Sequence, residues 1–210
     1  QHSMIIVPLN TKGVILYRPM RVLGYDDAPH GHLDIIFNNV EVPKENIILG
    51  EGKGFEIAQG RLGPGRIHHC MRLIGIAERA YENIIDRCKS RVAFGKTLSK
   101  FDSILKIVAK CRIKINLARL LVLQAADKID RVGGKNAKDE IAYIKIIVPQ
   151  ITQEIIDSAI QIHGGEGLSQ DSYLAYAFAA ARTLRLADGP DEVHMDAVGK
   201  SEFSKIIPKF

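Results

Sequence analysis

Residues 104–129, ILKIVAKCRIKINLARLLVLQAADKI, decide the fold class because their apolar residues recur at alternating steps of four and three. This spacing places the apolar residues on one face of an α-helix, and Lys106, Lys110 and Lys114 fall away from that face. The stripe consists of Ile104, Val108, Cys111, Ile115, Ala118, Val122, Ala125 and Ile129. The segment is therefore predicted to be a long amphipathic helix.

Similar stripes lie on both sides of this helix. One covers residues 67–88 and the other covers residues 144–162, and each is long enough for a bundle helix. Short breaks at Ser99–Asp102 and Gly133–Ala137 separate the three segments. Because short connections join antiparallel neighbours in helical bundles, we expect an up-and-down arrangement.

A fourth helix is predicted over Ser172–Leu186, which is apolar on nearly every side, and a short fifth helix begins at Pro190. Residues 54–210 are therefore predicted to form a helical bundle domain. The fold class is α+β overall but mainly α, with part of a β domain followed by an up-down four-helix bundle.

Residues 1–53 show the pattern of β structure and are predicted to be the C-terminal part of a β domain. Short apolar segments at Met4–Val7, Val14–Tyr17 and Leu33–Val40 are separated by turn-forming residues. A few strands bury too little surface to be stable alone. We therefore expect the sheet to be completed by strands that precede Gln1 in a longer protein.

Composition excludes several functional classes. The chain has 210 residues with 29 basic and 24 acidic side chains, so its net charge of +5 does not indicate a general nucleic-acid binder, although small anionic ligands fit. No apolar run approaches the roughly 20 residues that span a bilayer. Three widely spaced cysteines argue against a disulfide framework or a zinc site and are predicted to be reduced core thiols.

The candidate for chemistry is the turn Asp188-Gly189-Pro190, between the fourth and fifth predicted helices. Gly tolerates unusual backbone angles and Pro fits a first helical position, so the turn is predicted to be short and stiff. The alternative is that Asp188 only caps the next helix, since Asp is a favoured N-cap residue. The adjacent histidines at 68 and 69 would point in different directions on a helix, so we do not expect them to bind one metal ion.

Two further segments favour contact with a cofactor. The run from Gln161 through Gly164 and Gly165 to Gly167 breaks a helix and allows close approach to the backbone. The segment 91–96, RVAFGK, offers a forked cation and an aromatic ring between two long helices. Each pattern alone is also typical of an ordinary connection between helices.

Taken in order, these motifs resemble the C-terminal half of an acyl-CoA dehydrogenase. The resemblance covers essentially the whole chain. It rests on the link from Val42-Pro43 to Gly54, the Arg-x-x-Phe-Gly-Lys loop, the Gln-Ile-x-Gly-Gly-x-Gly turn and the carboxylate-Gly turn. Residues 182–194, RTLRLADGPDEVH, with 63–69, GPGRIHH, are most similar to family members ten and eleven.

The resemblance implies α,β-dehydrogenation of a fatty acyl-CoA, and the similarity to members ten and eleven implies a long-chain substrate. A carboxylate removes the α proton and a hydride passes from the β carbon to N5 of FAD, and Asp188 matches that carboxylate, which is Glu in most of the family. A second placement of the base, immediately before the arginine matched by Arg66, falls on Gly65, which has no side chain.

The resemblance also assigns binding residues. Arg66 and Gly189 match the acyl-CoA side of the site, and the backbone N–H of Asp188 matches a donor to the thioester carbonyl. The cofactor residues are Arg91, Phe94, Gln161, Gly164 and Gly165, which match contacts to the FAD of a neighbouring subunit, together with Pro190 and Glu192, where the family usually has Thr and Gln.

The implied partners are acyl-CoA, electron transfer flavoprotein as electron acceptor, and further copies of the chain in a homodimer or homotetramer. No nucleic acid and no membrane span are expected, and the implied compartment is the mitochondrion, with the peroxisome as the alternative. Two other functions stay open: a non-catalytic helical oligomerisation or acyl-CoA-binding module, and an acyl-CoA oxidase that passes electrons to oxygen.

Overall fold

The computed structural model describes residues 2–205 and is mainly helical with few strands, which confirms the predicted fold class. The chain divides into two compact units that meet between Leu62 and Gly63. The bundle domain predicted from residue 54 includes residues 206–210, which lie outside the described part of the chain. The domain boundary after residue 53 stays a prediction.

The first unit contains one antiparallel pair of strands, β1 (Val14–Met20) and β2 (His32–Phe37). Val14 lies opposite Phe37, and the register shifts between Leu16 and Arg18. The strand predicted at Met4–Val7 is wrong, because this segment makes only an isolated bridge between Ile5 and Ile47. The chain opposite it turns into a short 3-10 helix just before that bridge, so pairing does not extend.

Three long helices carry the predicted stripes: α1 (Gly54–Ser90), α2 (Asp102–Val132) and α3 (Lys138–His163). Two-residue strands, β3 (Val92–Ala93) and β4 (Lys96–Thr97), form a small hairpin between α1 and α2. The predicted break Gly133–Ala137 is confirmed, whereas the connection between α1 and α2 covers residues 91–101 and is longer than the predicted Ser99–Asp102, because the hairpin lies within it.

Three shorter helices follow: α4 (Gly165–Leu168), α5 (Leu174–Thr183) and α6 (Asp191–Ser204). The predicted fourth helix, Ser172–Leu186, corresponds to α5, which is shorter than predicted. Its C-terminal end turns early because the Arg185 and Leu186 N–H groups bond to the carbonyls three residues before them. This early end leaves seven residues for the connection to α6.

The core of the second unit is built from the predicted faces of α1, α2 and α3, together with α5. On α2, Cys111, Ile115, Ala118, Val122 and Ala125 are buried. All three cysteines are buried and free, which confirms the predicted core thiols. α3 packs against α2, α5 and α6, and it therefore lies beneath the turn that joins the last two helices.

Candidate active site

The turn between α5 and α6 is held in an unusual backbone conformation. Asp188 has φ +59° and Gly189 has φ +110°, and Pro190 leads into α6. Few residues other than glycine adopt φ near +110°, which explains glycine at position 189. The Asp188 side chain is consequently carried on a stiff corner, as the sequence predicted.

Three helices bind the backbone carbonyls of this turn. Arg66 Nε on α1 donates to the Asp188 carbonyl at 3.0 Å, and His194 Nε2 on α6 lies 3.3 Å from the same oxygen. Lys145 Nζ on α3 donates to the carbonyls of Leu184 and Gly189, the latter at 3.3 Å. The backbone position of Asp188 is thus set by contacts from α1, α3 and α6 together.

An ion pair between the half-buried Arg185 and the buried Asp191 closes the turn. Arg185 Nε lies 2.7 Å from Asp191 Oδ2, and Gln150 Nε2 donates to the same oxygen at 3.2 Å. The Asp191 side chain is only 5% exposed. Because breaking a buried pair leaves an uncompensated charge, this contact holds the two ends of the turn together.

Asp188 does not cap α6. Pro190 is the N-cap residue of that helix, and no side chain accepts a hydrogen bond at the cap. The Asp188 carboxylate instead faces α1, with Oδ2 3.0 Å from His69 Nε2 and the side chain 17% exposed. The capping alternative from the sequence is therefore wrong, and the carboxylate is available for another role.

Gly65 lies beside this carboxylate. A Cβ atom built on Gly65 would be 3.8 Å from Asp188 Oδ2. A side chain at position 65 would therefore enter the space that the Asp188 carboxylate now borders.

Burial lowers the pKa of three basic groups around the turn. Burial lowers the pKa of Arg66, and the Asp188 carboxylate partly offsets this change. The pKa of Lys145 is lowered mainly by burial as well. The pKa of His194 is lowered first by burial and then by the positive charges of Arg66 and Lys145. Asp188 therefore lies in a partly desolvated, cation-rich environment.

The residues predicted to contact FAD fall into two groups. Pro190 is half-buried and Glu192 exposed, and both lie beside Asp188 at the start of α6. The other group lies where α1 and α3 end: Arg91 directly follows α1, Phe94 is 97% exposed at the tip of the β3–β4 hairpin, Gln161 is in the last turn of α3, and Gly164 and Gly165 follow α3.

Arg87 joins the two connections of this second group. Its Nη1 lies 3.2 Å from Glu166 Oε2 and its Nη2 donates to the His163 carbonyl at 3.5 Å. An α-helix rises about 1.5 Å per residue, so Arg66 and Ser90 on α1 are about 36 Å apart. One chain therefore brings Arg66, Asp188 and Gly189 together, but it holds the second cofactor group far from them.

The sequence reasoning missed three side chains of the site. The sequence excludes His69 and His68 as ligands of one metal ion and assigns His69 no other role. His69 lies three residues after Arg66, however, and this spacing places Arg66 and His69 on one face of α1. Lys145 interrupts the apolar run of α3, and a lysine in a buried stripe was the available signal. His194 had no signal in the sequence, since it contacts the turn only after α6 packs.

Residues 2–205 contain no group of three or more His, Cys, Asp or Glu side chains that could hold a metal ion. None of the helices in that range is long and apolar enough to cross a membrane.

The chain is similar in sequence to a known protein family and to individual members of it. A family model described as the acyl-CoA dehydrogenase C-terminal domain matches residues 52–203. Acyl-CoA dehydrogenase family member 11 of Gallus gallus is 55% identical over 203 residues, which are 96% of this chain and 26% of that protein. Family member 10 of Mus musculus is 54% identical over 202 residues, which are 96% of this chain and 19% of that protein.

A solved structure of a Mycobacterium abscessus protein assigned as an acyl-CoA dehydrogenase superposes with a TM-score of 0.94 at 50% identity, over 97% of this chain and 50% of that one. The chain thus spans about a quarter or less of these curated relatives and half of the solved chain. The predicted likeness to family members ten and eleven is confirmed, and the chain belongs to the acyl-CoA dehydrogenase family, of which it carries the C-terminal domain.

Proposed function

We propose that the protein containing this chain dehydrogenates a fatty acyl-CoA between its α and β carbons, with Asp188 as the base. The α proton passes to the Asp188 carboxylate, which becomes a neutral carboxylic acid. FAD, when bound, accepts the hydride from the β carbon at N5. The long-chain preference follows the resemblance to family members ten and eleven.

The observation that carries this proposal is the position of the Asp188 carboxylate beside Gly65. The family resemblance implies two possible positions for the base, which are matched in this chain by Asp188 and Gly65. A Cβ on Gly65 would lie 3.8 Å from Asp188 Oδ2, so the two placements direct a carboxylate to the same space. Because position 65 has no side chain, the proton acceptor in this chain is Asp188.

The surrounding contacts suit a base. The backbone of Asp188 is bound through its carbonyl by Arg66 and His194, so the shorter Asp side chain projects from a fixed point. Arg66 uses Nε for this contact, and its Nη groups remain to hold the acyl-CoA. Preorganised donors and a fixed base lower the barrier without reorganisation during the reaction.

The second group of residues fits FAD bound largely by another subunit. Phe94 projects into solvent from a backbone with φ +51°, and no atom lies within 4 Å of a Cβ built on Gly164 or Gly165. Such a surface leaves room for a flat or extended cofactor. Arg91 would then contact the cofactor pyrophosphate with its forked guanidinium.

This division of the site supports a homodimer or a homotetramer. The about 36 Å along α1 between Arg66 and Ser90 separates Asp188 from Arg91 within one chain, so the second group serves the site of a neighbouring subunit. The solvent face of α2 also carries Ile113, Leu117 and Leu120, each more than half exposed. Exposed apolar stripes of this kind are typical of subunit interfaces.

The decisive experiment uses the full-length protein with FAD and long-chain acyl-CoA in the absence of oxygen. Wild-type protein is expected to bleach its flavin absorption on addition of substrate. Asp188→Asn should keep bound FAD but abolish bleaching, whereas Asp196→Asn, which changes an exposed carboxylate on α6, should bleach normally. Unchanged flavin reduction in Asp188→Asn would exclude it as the base.

The same samples test the other functions. A full-length protein without flavin would favour the non-catalytic module, and rapid peroxide formation in air would favour an oxidase. We propose electron transfer flavoprotein as the acceptor and the mitochondrion as the compartment, with the peroxisome as the alternative. Reoxidation by purified electron transfer flavoprotein and imaging of the tagged full-length protein test these two assignments.

A further inference from the structure

His69 contacts the carboxylate that we propose as the base. Its Nε2 lies 3.0 Å from Asp188 Oδ2, and its side chain is 25% exposed. Arg66 and His69 are three residues apart on α1, so the same helix face binds both the backbone carbonyl and the carboxylate of Asp188. The nature of this contact depends on whether the His69 imidazole is neutral or protonated.

The contact at the other ring nitrogen identifies the tautomer. Arg72 Nη2 contacts His69 Nδ1. A guanidinium group has only donors, so Nδ1 must accept this hydrogen bond and carry no proton. The single proton of a neutral His69 then lies on Nε2, from which it is donated to Asp188 Oδ2.

Burial lowers the pKa of His69, and the surrounding charges modify this shift. The imidazole is faced by Asp188 from the turn, by Arg72 and His68 from α1, and by Lys145 from α3. Burial lowers the pKa of His69, Asp188 opposes this shift, and Arg72, His68 and Lys145 reinforce it. The imidazole is therefore uncharged near pH 7.

We propose that His69 is a positioning residue for the Asp188 base, held as its neutral Nε2–H tautomer by Arg72. The inference rests on the proposed function. His69 binds Oδ2 and leaves Oδ1 to take the α proton: the substrate C–H bond breaks, an O–H bond forms at Oδ1, and His69 keeps its own proton. A cationic imidazole would lower the basicity of the carboxylate, whereas a neutral donor orients it with a smaller loss.

The test compares five variants of the full-length holoenzyme, four single and one double, by the rate of anaerobic flavin bleaching from pH 5.5 to 8. His69→Leu removes the donor and should slow bleaching by about 10- to 100-fold, since a hydrogen bond to a charged group is lost. His69→Gln keeps a donor near the Nε2 position and should restore most of the rate. His30→Gln changes an exposed histidine of the first unit and serves as the matched control.

Arg72→Leu tests the tautomer. Without the guanidinium, His69 takes a second proton more readily because its pKa rises, and the bleaching rate should begin to fall at a higher pH than in wild-type protein. The double variant His69→Gln/Arg72→Leu should lack this acid limb, because glutamine does not titrate. In ¹³C-histidine-labelled wild-type protein, NMR should show the neutral Nε2–H form of His69 at pH 7.

Several results would overturn the proposal. These are a wild-type rate in His69→Leu, an equal loss in His69→Leu and His69→Gln, an unchanged pH profile in Arg72→Leu, and a cationic or Nδ1-protonated His69 in the NMR spectrum. The failure of the proposed function looks different. In that case wild-type protein does not bleach or Asp188→Asn bleaches normally, and the NMR spectrum still reports the His69 tautomer.

Discussion

Replacing Gly189 by alanine should destabilise the turn in two separable ways. The backbone at Gly189 has φ +110°, which an L-residue adopts only with strain of about 1–3 kcal/mol. In addition, the new Cβ would lie 2.8 Å from His194 Nε2, well inside normal contact distance. His194 is 7% exposed and has little room to move.

The second contribution is the hydrogen bond that His194 must give up. Its Nε2 lies 3.3 Å from the Asp188 carbonyl, and a ring displaced by the methyl group loses that contact. Leaving a partly buried polar group without its partner costs about 1–3 kcal/mol. The expected total for Gly189→Ala is therefore about 2–6 kcal/mol.

Gly133→Ala provides a matched control. Gly133 also has a positive φ, +78°, but no atom lies within 4 Å of a Cβ built there, so this variant carries backbone strain alone. Thermal unfolding of the full-length variants, followed by calorimetry through the transition of the helical domain, measures the difference. We expect Gly189→Ala to unfold at least about 2–4 °C below Gly133→Ala, which corresponds to about 1 kcal/mol.

The reasoning is refuted if Gly189→Ala is no less stable than Gly133→Ala. A second readout connects the turn to chemistry, since Gly189→Ala should also slow anaerobic flavin bleaching by moving the Asp188 backbone. Gly133→Ala lies in the connection between α2 and α3 and should leave that rate unchanged.

Two further predictions concern the contacts beneath the turn. Lys145→Met should lower stability by about 1–3 kcal/mol, measured by the same calorimetry, because the carbonyls of Leu184 and Gly189 lose a buried donor; a stability equal to that of wild type would mean that water replaces it. His194→Gln should make stability depend less on pH between pH 7 and 5.5. The pKa of His194 is lowered in the folded state, so the unfolded chain binds the proton more readily. The stability of the wild-type protein therefore falls as the pH drops through about 6.5, and glutamine removes this contribution. Identical pH slopes in thermal unfolding of the wild-type and His194→Gln proteins would contradict this assignment.

The helices were predictable because their packing repeats along the chain. The stripe of α2 from Ile104 to Ile129 has the period of a helix, and its central members are buried where that period places them. The β prediction was less accurate at Met4–Val7, because strand formation depends on a partner segment distant in sequence. The early end of α5 likewise depends on turn contacts that a composition of apolar residues does not reveal.

The sequence by itself determined the helical bundle, the free core cysteines, and the stiff Asp188-Gly189-Pro190 corner, since these follow from local spacing and backbone preference. Only the tertiary structure decided what that corner does. It turned the Asp188 carboxylate away from α6 and toward Gly65 and His69, and it brought Lys145 and His194 beneath the backbone. The physical reason is that helix periodicity records which face is buried, whereas hydrogen bonds between distant side chains depend on how those faces meet.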